Sequence, residues 1–212
     1  MLSCGKMYEM ESLLNDALVL EDERVLLRVL QPTDFDNFLP FSLNEPDTWY
    51  YSLVQAKGED GLRNYMKQAF DGKTQRKEFP FIVFDKKTNE YAGSTRFYEI
   101  NFAYQTVHLG YTWYGKRFWG TGLNKHCKFL LLQFAFEQLQ MERVQFGADA
   151  ANTRSIAAMK SIGCTLEGIL RSSMPTIYGG RRDSAVLSIL KDEWYGSVKE
   201  MLKNKLTQSL NS

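Results

Sequence analysis

Residues 116–139 constrain this chain more than any other stretch. They join a loop, Lys116-Arg117-Phe118-Trp119-Gly120-Thr121-Gly122-Leu123-Asn124, to a segment of helical periodicity over about 124–139. That segment is apolar on two sides. Cys127, Leu130, Leu131 and Phe134 form one stripe; Phe129, Leu132, Phe136 and Leu139 form another. Such a helix must be covered twice, by a sheet and by a second element. The strand-like run 106–114 precedes the loop, so the glycines fall between strand and buried helix. Glycine lets the backbone turn tightly and approach a ligand. Amide N–H groups at a helix start, with the dipole behind them, make an anion site suited to a pyrophosphate. Lys116, Arg117 and Lys125 add local positive charge.

Three phosphate readings compete for such a loop. A Walker loop needs Gly-Lys-Ser/Thr at its end, and Leu123-Asn124 stand there instead. A dinucleotide fingerprint, as in a nicotinamide-dependent oxidoreductase, needs a third glycine where Lys125 stands and an opening strand–helix–strand unit. Asp149, at the end of the next strand, suits that reading, but the missing glycine outweighs it. A coenzyme A pyrophosphate loop remains.

The rest of the chain reads as one α/β domain. At roughly 150 residues per domain, 212 residues suggest one domain with extensions. Hydrophobic residues make up 44% and charged residues 24%, which excludes wholesale disorder. Strands are expected at 24–30, 79–84, 91–100, 106–114, 143–148, 164–174 and 182–190, the last two parted by the Tyr178-Gly179-Gly180 turn. Helices are expected within 1–22 (Met10, Leu13, Leu14, Ala17 and Leu18), from a cap at Thr33 with Asp34 and Asp36 in its first turn, and at 61–70, stopped by Asp71-Gly72. Two more are expected at 152–162, closed by Gly163, and at 193–206. Pro40 and Pro46 read as breakers in an irregular aromatic segment. The 26 basic and 25 acidic residues leave +1, so nothing in the balance calls for nucleic acid or an acidic membrane. Cys4, Cys127 and Cys164 are too scattered for disulfides or zinc, and His108 and His126 do not complete a metal set. No metal site is expected. The run 129–136 is too short to span a bilayer, and Glu9, Glu11 and Asp16 interrupt any leader. A cytoplasmic location follows as the expectation.

With these residues in view, residues 79–190 resemble the GNAT superfamily of acetyl-CoA-dependent N-acetyltransferases. The similarity is greatest to its ribosomal-protein N-terminal acetyltransferase branch, the RimJ/RimL-like proteins. Arg117-Phe118-Trp119-Gly120-Thr121-Gly122 matches the superfamily's Gln/Arg-x-x-Gly-x-Gly/Ala motif. Leu109-Gly110-Tyr111-Thr112-Trp113 resembles the strand leading into it, and Asn152-x-x-Ser155 with Met159-Lys160-Ser161-Ile162-Gly163 resembles the branch's Asn-x-x-Ser helix. The strand at 24–30 and the helix at 33–40 also fit, giving an expected domain over 21–206 and an extension over 1–20. The implied fold is a mixed, mostly antiparallel sheet of about seven strands flanked by helices, an α/β (α+β) GNAT fold.

The resemblance implies acetyl-CoA as cofactor and direct attack by a primary amine, either a protein N-terminus or a small molecule. A non-catalytic acyl-CoA-binding module is the alternative. Membranes and nucleic acids are not expected partners, and a homodimer is compatible with the pattern. The strand before the loop should splay from its neighbour, placing the main chains of Trp113 and Tyr114 beside the cofactor. Amides of Phe118, Trp119, Gly120, Thr121, Gly122, Leu123 and Asn124, beside Arg117, should hold the pyrophosphate. Asn152 should meet the pantetheine, or simply cap its helix. Many relatives place a Tyr acid where Met159 stands here, which leaves Ser155 as the branch's donor, or as a capping serine. His108 is a base candidate because it titrates near neutrality, with Glu99 and Asp149 as rivals. Alternation puts His108, Gly110 and Thr112 on one face of their strand and Val107, Leu109, Tyr111 and Trp113 on the other. Arg96 needs an acidic partner or a substrate carboxylate. Arg171 and Asp183 suggest an ion pair, Phe41, Trp49 and Tyr50 an acceptor wall or plain core, and Cys127 and Cys164 core thiols.

Overall fold

Short turns and β-rich runs fold residues 78–190 into a sheet that two further strands extend. The computed structural model describes residues 4–210. In chain order the elements are α1 (Cys4–Ser12), β1 (Val19–Glu21), β2 (Val25–Val29), α2 (Phe35–Asn44), α3 (Gly58–Thr74) and β3 (Glu78–Asp85). Next come β4 (Glu90–Asn101), β5 (Thr106–Tyr114), α4 (Leu123–Gln133), β6 (Arg143–Asp149) and α5 (Thr153–Ser161). The chain ends in β7 (Thr165–Pro175), β8 (Arg181–Leu190), α6 (Lys191–Glu193) and α7 (Lys199–Leu210). Among the described residues, eight strands form one sheet, ordered β1-β2-β3-β4-β5-β6-β8-β7. Only β5 and β6 run parallel. The strand beyond the seven expected is β1, three residues paired to β2.

Helices cover both faces. On β5, Trp113 packs against Phe38 and Phe41 of α2 and donates its indole N–H to Tyr65 Oη of α3. Its neighbour Thr112 turns to the opposite face and meets α4. The two-sided apolar helix is borne out: Leu123, Cys127, Phe129, Leu131 and Leu132 are all buried, and α7 packs on α4 away from the sheet.

Several local expectations are corrected. The first helix ends at Ser12, short of the spaced Leu13, Leu14 and Leu18. Thr33 lies in a tight turn before α2 rather than capping it, and Asp34 in that turn stands at the N-cap of α2. Its buried carboxylate accepts both Arg28 Nη atoms (2.7 and 2.8 Å) and the Gln31 amide. Pro40 sits inside α2, which loses one amide bond and still runs on to Asn44. The α3 helix continues through Asp71-Gly72 to Thr74.

One irregularity shapes everything that follows. The β4–β5 register runs Ser94↔Trp113 and then Arg96↔Gly110, so β5 carries an extra residue opposite Thr95. This is a bulge, with Tyr111 at φ +49. The extra residue reverses the alternation beyond it. His108 and Tyr111 both meet the Tyr98 ring, while Thr112 faces the other way. The expected shared face for His108, Gly110 and Thr112 is therefore broken at Tyr111.

Candidate active site

Strands β5 and β6 pair only over Thr106↔Arg143, Val107↔Val144 and His108↔Gln145. Beyond that they part, as the sequence reading anticipated. The fork opens toward the loop at 115–122 on one arm and the start of α5 on the other.

At the mouth, the glycines take the conformations the loop needs. Gly120 (φ +76) and Gly122 (φ +87) lie in the left-handed region, and Gly122 stands at the start of α4 with no side chain capping the helix. The amides of Phe118 and Trp119 are used inside the loop, donating to Gly115 O (2.9 Å) and Lys116 O (3.1 Å). Among the described residues, the N–H groups of Gly120, Thr121, Gly122, Leu123 and Asn124 take no protein acceptor. The expected amide set is thus narrowed at its front end to 120–124. Nothing lies within 4 Å of a Cβ built on Gly120, so the cradle is open. The charges nearby are partly neutralised: Arg117 pairs with Glu90 (2.9 Å) and Lys116 with Asp47 (3.6 Å).

Trp113 and Tyr114 separate. The Trp113 carbonyl turns toward β4, where a Cβ on Gly93 would meet it at 2.0 Å, so its main chain faces away from the fork. The Tyr114 carbonyl accepts the Trp119 indole N–H at 2.9 Å. The Arg154 guanidinium, from the first turn of α5, stacks 3.7 Å from the centroid of the Trp119 ring. Together they link the two arms of the fork at its mouth.

Asn152 takes the capping role: its Oδ1 accepts the Ser155 amide at 3.0 Å. The cap uses only the oxygen and leaves the Nδ2 donors outside that bond. Ser155 lies in the first turn of α5, and Met159 is buried, with no tyrosine on that turn.

Near the point where β5 and β6 meet, two base candidates converge. His108 Nε2 lies 3.3 Å from Glu99 Oε2. Burial pushes the imidazole below its ordinary value; Glu99 opposes that and Arg143 adds to it. A His held neutral at pH 7 is in the form a base requires. Glu99 has φ +48, a strained backbone for a non-glycine residue. The third candidate, Asp149, accepts the Ala151 amide at 2.9 Å and lines a pocket with Tyr50, Tyr51, Tyr178 and Arg182. The expected acceptor wall divides: Phe41 and Trp49 are core, packed on Trp113, while Tyr50 stacks on Tyr178 at 5.3 Å.

Other nominees are structural. Arg96 Nη1 donates to Glu78 Oε2 at 2.6 Å. Asp183 accepts the Ser172 amide (2.7 Å) in place of Arg171. Burial pushes the Cys127 and Cys164 thiols up to about 12, so both are inert. His126, unassigned from sequence, bonds Asp22 through Nδ1 (2.7 Å) and lies 4.0 Å from Glu23. Burial raises the Asp22 carboxyl, but His126 and two turn amides hold it below the usual range.

The forked sheet and glycine cradle are those of an acyltransferase fold, and the chain belongs to the acetyltransferase (GNAT) domain family, whose model matches residues 24–165. It is 25% identical over 177 residues to the "Uncharacterized N-acetyltransferase p20" of Bacillus licheniformis, covering 84% of this chain and 98% of that protein. It is 24% identical over 180 residues to the "Putative ribosomal N-acetyltransferase YdaF" of Bacillus subtilis (strain 168), covering 82% and 96%. The fold also matches Mycobacterium smegmatis RimJ in complex with CoA-disulfide, with TM-score 0.71, 18% identity and coverage of 85% and 88%. The protein is an acetyltransferase by family. Among the described residues, no helix is long and apolar enough to cross a membrane.

Proposed function

We propose that the chain transfers an acetyl group from acetyl-CoA to a primary amine, a protein N-terminus or a small molecule. The observation that carries this reading is the run of unpartnered amides at 120–124, on left-handed glycines, at the mouth of the β5–β6 fork. When bound, acetyl-CoA supplies an acyl group activated for direct attack by a neutral amine in a ternary complex. The five amides hold the diphosphate with the α4 dipole behind them. Asn152 Nδ2 and the Tyr114 carbonyl, once Trp119 gives it up, hold the pantetheine arm. His108, kept neutral by burial and positioned by Glu99, takes the amine's proton. The Ser155 hydroxyl donates toward the departing sulfur. Asp149 and the tyrosines beside it receive the acceptor, the carboxylate drawing in a cationic amine.

Isothermal titration with acetyl-CoA, followed by thiol release with a panel of primary amines, tests this. Binding together with release supports the reading; binding without release under any acceptor leaves a non-catalytic module. Gly120→Val, a β-branched side chain forced to positive φ, should weaken acetyl-CoA about tenfold or more. His108→Ala should lower kcat/KM about 100-fold. In the wild type, kcat/KM should fall as pH drops through a value below 6.5, where His108 protonates. That limb should vanish in the variant.

A further inference from the structure

Lys128 is a cation inside the core. It lies on α4, is 5% exposed, and points at the sheet. Its Nζ donates to Thr112 Oγ1 (2.7 Å) and Thr95 Oγ1 (3.4 Å), and lies 5.9 Å from the Phe146 ring centroid. Among the described residues no carboxylate pairs with it. The titratable groups facing it are the thiols of Cys127 and Cys164, both kept neutral by burial. An ammonium has three N–H donors, and the two threonine hydroxyls take two. Among the described residues the third has no oxygen acceptor beyond these two hydroxyls, and the Phe146 ring centroid is 5.9 Å from Nζ. A buried donor in that condition costs free energy unless something else satisfies it.

Its position says what that something is. Thr112 lies on β5 beyond the last β5–β6 pair, and Phe146 is the first residue of β6 beyond it. The ammonium therefore stands under the fork, where the strands separate. It is four residues past Asn124, about 6 Å further along the helix than the end of the amide cradle. A diphosphate on that cradle would leave Lys128 beside the chain attached to it. The acceptors such a chain offers are neutral oxygens, chiefly amide carbonyls.

We propose that Lys128 binds the pantetheine arm of coenzyme A from the α4 side of the fork, donating its third N–H to a carbonyl oxygen of that arm. The inference rests on the coenzyme A reading above.

The test compares two ligands that share the nucleotide and diphosphate but differ in the arm: coenzyme A and 3′-phospho-ADP. In Lys128→Met, coenzyme A affinity by calorimetry should fall about tenfold, the worth of one charge-assisted hydrogen bond. Affinity for 3′-phospho-ADP should stay within about twofold. Unchanged coenzyme A binding overturns the inference while leaving the coenzyme reading intact. Equal losses for both ligands also overturn it, because they mark a general structural role. If the wild type binds neither ligand, both readings fall. Lys128→Gln, which keeps a neutral donor, is read in the same way, with a smaller loss for coenzyme A alone.

Discussion

Two buried cations meet the sheet at β4 from opposite faces, Arg96 from the strand itself and Lys128 from α4, and the fold treats them differently. Arg96 is enclosed on the α3 side. Glu78 pairs with it at 2.6 Å, and the rings of Tyr65 and Tyr111 lie 4.9 and 4.1 Å away. Lys128, which reaches Thr95 next to Arg96, has hydroxyls and a phenyl ring but no countercharge. The guanidinium is held protonated despite burial. The ammonium is pushed down by burial to about 8. Arg96 thus has its charge balanced within the scaffold, although its Nε donor finds no partner among the described residues. Lys128 is a charge the scaffold tolerates at a cost, with no countercharge beside it among the described residues.

Three substitutions put this contrast at risk. The largest effect is expected from Arg96→Met, which strands Glu78 against two tyrosines. It should destabilise by about 3 kcal/mol and lower Tm by roughly 6–12 °C in a calorimetric scan. Lys128→Met should act in the opposite direction, stabilising by on the order of 2 kcal/mol at pH 7. Its sign depends on pH in a defined way. Below pH 8 the lysine is charged in both the folded and unfolded chain, and the folded state bears the full burial cost. Between about 8 and 10.5 the folded chain sheds the proton first, so wild-type stability rises and the variant's advantage shrinks. Denaturant melts at pH 7 and pH 10 would show it; a destabilised Met variant at pH 7 would erase the contrast. The smallest effect is expected from Thr112→Val, which removes the 2.7 Å acceptor and should destabilise by about 1 kcal/mol at pH 7.

What the sequence made legible follows from local chemistry. The glycines at 120 and 122, the two-sided helix and the Asn152 cap are short-range features, and each appears where residue type placed it. What escaped depends on neighbours distant in the chain. At three residues, β1 is too short to show a period, and it exists because β2 offers an edge. The bulge at Tyr111 inserts one residue, and one residue is enough to reverse a two-residue alternation. His108 and Glu99 lie on different strands, and pairing of β4 with β5 brings them together. Lys128 does not stand out in the sequence because a lysine in a helix normally faces water. The signal was present: it precedes Leu131 and Leu132 by three and four positions, which puts it on the buried side.

The tie between the Trp119 indole and the Tyr114 carbonyl has a consequence for how the molecule is loaded. On the proposed coenzyme A reading, an incoming arm that uses that carbonyl would meet a resident competitor, itself stacked on Arg154. Measured affinity is then the intrinsic value scaled by the fraction of molecules in which the ring has swung aside. Because this ring is also 38% exposed, its displacement should alter its emission, giving the chain a built-in optical gauge of occupancy.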